Sequence, residues 1–164
     1  MQKLAGIGLA TAFLSAVALA FPTGRAGATA VQDVRAMKAL VNVTRAQHGL
    51  RALRFAPLLD RSALLKAAAI RRCGSFSHTP CGAPFRRTFQ QVGYTSRMIG
   101  ENIGWGTGDL GTPTSILNAW LGSPPHRANL LGGRWREAGV AVITAPSLFG
   151  ASDVRIWVLQ FGRR

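Results

Sequence analysis

Acidic side chains are scarce in this chain: six Asp and Glu stand against 20 Lys and Arg in 164 residues, a formal charge of +14. Histidine occurs three times and cysteine twice. No segment repeats at a fixed period, and no low-complexity tract follows the Ala-rich N-terminus. Apolar runs of near membrane-span length are absent after the first twenty or so residues, which excludes a polytopic membrane protein. What is present, 48% hydrophobic residues against 16% charged, suffices for one buried core. A disordered basic tail is therefore excluded, and the length fits a single domain.

The N-terminus reads as an address. Met1-Gln2-Lys3 is a short basic start, Leu4 to Ala20 is uncharged and almost wholly apolar, and Phe21-Pro22-Thr23-Gly24 breaks any helix. Ala28-Thr29-Ala30 has the small-x-small pattern of a signal peptidase site, and Ala18-Leu19-Ala20 fits as well. Seventeen residues fall short of a hydrocarbon core of about 30 Å, which favours a cleaved leader over a retained anchor. The expected division is a signal peptide over 1–30 and one domain over 31–164, placing the mature protein outside the cytoplasm, secreted or periplasmic.

Export sets the reading of the cysteines. Cys73 and Cys81 enclose Gly74-Ser75-Phe76-Ser77-His78-Thr79-Pro80, a turn-prone loop. In an oxidising compartment this reads as one small disulfide-closed loop; a Cys-His-Cys metal cluster using His78 is the rival reading.

Apolar spacing predicts a helix over 31–47 with Val34, Met37, Leu40, Val41 and Val43 inward, ended by His48-Gly49-Leu50. A second helix starts at Pro57 and runs to about Arg72, with Leu58, Leu59, Leu64, Leu65 and Ala68 or Ala69 inward. A short helix lies between Pro84 and Val92. Residues 96–104 read as a strand, 112–121 as a helix capped by Thr112, and 125–131 as one or two further helical turns. Residues 138–144 and 154–161 are β-branched and aromatic-rich, separated by a turn-prone stretch over 145–153. Helices first and strands later argue for an α+β domain with an antiparallel sheet covered by helices.

The motifs that carry chemistry are few. His78 lies in Phe76-Ser77-His78-Thr79, Glu101 in Gly100-Glu101-Asn102-Ile103, and His126 in Ser123-Pro124-Pro125-His126-Arg127-Ala128-Asn129-Leu130-Leu131. Glu101 has apolar strand neighbours and so needs a partner; an imidazole is a suitable one. Added to these are Leu40-Val41-Asn42, Arg45 and Gly49-Leu50, then Ala119-Trp120, Glu137-Ala138-Gly139-Val140 and the ending Trp157 to Gly162. In this order the strings resemble the CAP superfamily (cysteine-rich secretory proteins, antigen 5, pathogenesis-related-1 proteins), in its compact bacterial form, over nearly the whole mature chain.

The resemblance implies a three-layer α-β-α sandwich with a small, mainly antiparallel sheet and a cleft lined by histidines and acids. By motif, His78, Glu101 and His126 carry over to the cleft. The glutamate that animal and plant members carry shortly after the helix tryptophan is missing, since Trp120 is followed by Leu121-Gly122-Ser123. Glu137, Ser123, Asn102 and Trp105 are further candidates for the cleft.

Two imidazoles and a carboxylate can hold a divalent cation such as zinc, act as a proton-transfer pair, or form a hydrogen-bonded structural network. No Ser-His-Asp pattern is evident, and a disulfide removes the thiolates as nucleophiles. The other tryptophans (Trp120, Trp135 and Trp157) read as core or cleft wall. The basic surface suits an anionic envelope component or lipid, with no recognisable nucleic-acid reading element. Three functions follow as alternatives: a non-enzymatic binding module using the His/Glu cleft, a metal-dependent hydrolase using the same cleft, and an envelope protein held by charge. A monomer is the expected state.

Overall fold

The computed structural model describes residues 25–164, with side chains from residue 29 onward. Of the expected leader, residues 1–24 lie outside the described residues, and 25–30 open the first helix. The elements run α1 (Arg25–Gln47), β1 (Arg54–Phe55), α2 (Pro57–Cys73), α3 (Arg87–Gln91), β2 (Met98–Gly106), α4 (Pro113–Gly122), α5 (Pro124–Leu130), β3 (Glu137–Leu148) and β4 (Ala151–Arg163). Short 3-10 turns occupy Pro80–Gly82 and Gly108–Gly111.

The four strands form one sheet in the order β1-β3-β4-β2. Strand β1 is parallel to β3; the other two pairings are antiparallel. Side chains alternate across it, as a period of two requires. Trp157, Leu159 and Phe161 pack with Met37 and Val41 of α1, Ile116, Leu117 and Trp120 of α4, and Leu130 of α5. On the other face, Ile156 and Val158 meet Ala63, Ala67 and Ile70 of α2. The result is the expected α+β architecture, with helices on both faces of a mainly antiparallel sheet.

Local signals set the helix ends. Gly49 takes φ +67°, with Leu50 N–H donating to Arg45 O at 2.9 Å and Gly49 N–H to Ala46 O at 2.9 Å, a Schellman stop. Thr112 caps α4 by accepting from Ser115 N–H at 3.3 Å, and Pro57 opens α2 after an uncapped Ala56.

Several expectations are corrected. The buried stripe of α2 is Leu59, Ser62, Ala63, Lys66, Ala67 and Ile70, whereas Leu64 and Leu65 are 49% and 41% exposed. Small residues there let the helix lie close to the sheet: a Cβ on Gly139 would stand 2.1 Å from the Leu59 carbonyl carbon. Val43 is also exposed, and Thr44 and Arg45 are buried in its place. Arg45 donates to the carbonyls of Arg51, Leu130 and Gly132, which ties the end of α1 to the end of α5. The turn expected over 145–153 shrinks to Phe149-Gly150, both at positive φ (54° and 77°), because β3 and β4 continue to Leu148 and from Ala151. Helix α1 begins at Arg25 rather than residue 31, β2 runs to Gly106, and the two-residue β1 was not anticipated.

Candidate functional site

Strand β2 is an outer strand, paired only with β4. Glu101 and Ile103 project to the α2 face; Gly100, Asn102 and Gly104 face α4 and α5. Gly104 lets the Trp120 ring lie close, since a Cβ there would stand 3.1 Å from Trp120 Nε1.

The Glu101 side chain is 0% exposed, and both of its oxygens are engaged. Oε1 lies 2.9 Å from His78 Nδ1 and 3.6 Å from Lys66 Nζ, and Oε2 accepts from Gln160 Nε2 at 2.7 Å. A carboxylate only accepts, so His78 donates through Nδ1 and its Nε2 stays free of hydrogen bonds among the described residues. Lys66 also donates to the His78 carbonyl, which fixes the loop as well as the ring. Burial pushes the Lys66 ammonium below the usual lysine value, and Glu101 pulls it part of the way back.

The opposite face of β2 anchors the second histidine. Asn102 is fully buried and donates to the His126 carbonyl at 2.9 Å, while Asn129 Nδ2 donates to Asn102 Oδ1 at 3.0 Å and to Glu101 O at 3.2 Å. The His126 ring shares a 2.8 Å hydrogen bond through Nδ1 with Ser123 Oγ. Burial lowers its pKa, and charge on His78 lowers it further, so the two rings are electrostatic neighbours. They are tied to the two faces of one strand, His78 through Glu101 and His126 through Asn102.

Along that edge lies a depression of about 250 Å³ whose walls include Phe76, Trp105, Ile116, Trp120, Ser123 and His126. Trp105 is 38% exposed, whereas Trp120, Trp135 and Trp157 are buried. Phe149, at the β3–β4 turn, packs against Trp105 at 5.3 Å and Phe76 at 5.8 Å between ring centroids. Phe76 and Trp105 therefore supply the exposed aromatic wall, with Phe149 in contact with both rings.

Of the sequence candidates, the structure joins His78 to Glu101, and His126 to Ser123, with Trp105 beside the latter pair. Asn102 holds α5 in place and does not line the depression. Glu137 goes elsewhere: it accepts from Tyr94 Oη at 2.6 Å and pairs with Arg54 and Arg164. Lys66, Gln160, Phe76 and Phe149 were not anticipated. The position of Lys66 in the stripe Leu59-Ala63-Lys66-Ile70 was the one available signal. Cys73 and Cys81 form the disulfide, which removes the Cys-His-Cys metal alternative.

Among the described residues, no three His, Cys, Asp or Glu side chains are grouped so as to hold a metal ion. His78, Glu101 and His126 do not fit a three-ligand centre, because Glu101 is sealed from solvent and saturated by His78, Lys66 and Gln160.

The CAP family model, described as the cysteine-rich secretory protein family, matches residues 38–161. The chain belongs to the CAP family. This CAP chain is 31% identical over 124 residues to YkwD of Bacillus subtilis, an uncharacterised protein, covering 74% of the chain but 44% of that relative. It therefore spans about half of the relative's length. Among solved structures, it resembles an extracellular protein with an SCP domain from Bacillus anthracis (TM-score 0.74, 19% identity, 90% of this chain and 45% of that one). It also resembles an outer surface protein of Borrelia burgdorferi (TM-score 0.69, 20% identity, 81% of this chain and 93% of that one). At such identities the likeness speaks for the CAP fold alone.

Proposed function

We propose that this CAP domain is an exported, non-enzymatic module that binds a saccharide of the cell envelope in the depression at the outer edge of β2. The observation that carries the reading is the pairing of an exposed aromatic rim with a polar wall. Trp105 and Phe76 offer ring surface to the apolar face of a sugar, backed by their contacts to Phe149, and Ser123 and His126 offer hydrogen bonds. Export rests on the leader-like N-terminus and on the extracellular and outer-surface character of two fold neighbours. No helix among the described residues is long and apolar enough to cross a membrane.

Hydrolysis is the weaker reading of the same residues. A Ser123 nucleophile would need donors for an oxyanion, but α5 opens with Pro124 and Pro125, which have no N–H to give. His126 Nδ1 is within hydrogen-bond reach of Ser123 Oγ, but the buried carboxylate that could orient a catalytic histidine, Glu101, is committed to His78 instead.

Soluble wall-glycan fragments titrated into the mature domain test the proposal. Trp105→Ala and His126→Ala should each weaken binding about tenfold, with the glycan recovered intact. Unchanged affinity in both variants, or steady release of cleavage products, would overturn it.

A further inference from the structure

A second cavity, of about 410 Å³, lies on the other side of Lys66 from the cleft, between α2, the disulfide loop and α3. Its walls divide by chemistry. Leu65, Ala68 and Ala69 of α2 and Pro80, Ala83 and Pro84 of the loop are apolar. Arg72 of α2 and Arg87 of α3 supply the charge, with no Asp or Glu in the lining.

Neither arginine is tied to a carboxylate among the described residues. The Arg87 guanidinium makes no hydrogen bond or ion pair among the described residues, and Arg72 has only a 3.6 Å approach to Cys81 Sγ. Lys66 lines the floor, but its ammonium is turned to Glu101 and the His78 carbonyl. The nearest buried carboxylate is therefore already committed, and the two guanidinium groups are left without a counter-charge from the cavity wall. Arginine forks match the tetrahedral oxygens of a phosphate, and the cavity exceeds what a bare phosphate fills. The surplus volume is walled by alanine, leucine and proline.

We propose that this cavity is a binding site for an organic phosphate, its phosphoryl group held by Arg72 and Arg87 and its apolar portion laid against Leu65, Ala68 and Pro84. The site is separate from the cleft on the β2 edge, and it stands or falls without the saccharide reading. The phosphate arrives either as a free phosphomonoester or as a lipid headgroup, the same chemistry in two settings.

Calorimetric titration of the mature domain with hexyl phosphate and with inorganic phosphate, at low salt, tests the site. Sedimentation with phosphatidylglycerol vesicles tests the lipid setting. Arg72→Ala/Arg87→Ala is compared with Arg35→Ala/Arg51→Ala, which removes the same charge from exposed positions outside the cavity lining. Hexyl phosphate should bind tighter than inorganic phosphate, and lose about tenfold or more only in the cavity variant. Vesicle binding with that same mutational pattern, without hexyl phosphate binding, upholds the site and assigns the phosphate to a lipid. His78→Ala/His126→Ala should leave either signal unchanged. Equal losses in the two arginine variants, or equal affinity for hexyl and inorganic phosphate, would overturn the proposal, because a diffuse positive field would then explain the binding.

Discussion

The Glu101–Lys66 pair offers the most demanding check on how the cleft is held. Its charges are 3.6 Å apart, with side chains 0% and 2% exposed. At an effective dielectric of about 20 their attraction is roughly 4–5 kcal/mol, which offsets the cost of removing both ions from water. Glu101→Gln keeps an acceptor for His78 but leaves the Lys66 ammonium buried without a counter-charge, so stability should fall by about 3–5 kcal/mol. Lys66→Met leaves Glu101 with His78 and Gln160, so its loss should be smaller. The double variant Glu101→Gln/Lys66→Met removes both charges, and its loss should undercut the sum of the single losses by about 2 kcal/mol. Urea unfolding at pH 7, followed by circular dichroism and tryptophan fluorescence, supplies the three values at a common m-value. A double loss within about 0.5 kcal/mol of the sum would refute the coupling, and with it the claim that Lys66 balances the carboxylate beneath His78.

In an NMR titration His126 should protonate below the ordinary histidine value of about 6.5, because of burial first and His78 charge second. His78→Ala should raise that midpoint without restoring it fully; an unmoved midpoint would separate the two rings. The unfolded chain takes up this proton first, so the stabilisation is complete above about pH 6.5 and is lost as pH falls from there through the native pKa. Reducing Cys73–Cys81 should lower stability by roughly 2.5 kcal/mol and weaken glycan binding, since the released loop carries Phe76 and His78; unchanged thermal unfolding would refute the staple. Gly139→Ala should cost about 3 kcal/mol, because the new Cβ would lie 2.1 Å from Leu59 C and 2.3 Å from Asp60 N, both backbone atoms of α2. Gly122→Ala, with nothing within 4 Å of its Cβ, is the control that should unfold like the parent chain.

Much of the fold was legible where the signal was local. Pro57, Pro113, Thr112 and Gly49 mark helix ends through their own backbone chemistry, and those ends stand where they point. The inward stripe of α2 was misread because apolarity alone cannot tell a core leucine from an exposed one: Leu64 and Leu65 are 49% and 41% exposed, while Lys66 goes inside to meet Glu101. Pro146 suggested a turn within what proved to be β3; the β3–β4 pairing skips Pro146 and Asp153, the latter at φ 51°, and resumes at Ser147–Ser152, so the proline sits at a break in the ladder. At the site, His78, Glu101 and His126 were identified by motif, but the partners that saturate Glu101 come from α2 and β4 and left no pattern nearby.

By itself the sequence determined the family, the layered α+β class and the disulfide loop, and it named His78, Glu101 and His126 as the candidate side chains. Each depends on residue identity, short spacing or motif order. Only the tertiary structure decided what those side chains are free to do. Folding seals Glu101 between a buried lysine and a glutamine, and it sends Glu137 to Tyr94 and two arginines. It also brings Phe149 from a distant hairpin to the rim beside Trp105. The availability of a carboxylate or a ring depends on which distant groups reach it first, and a linear order of residues does not contain that competition.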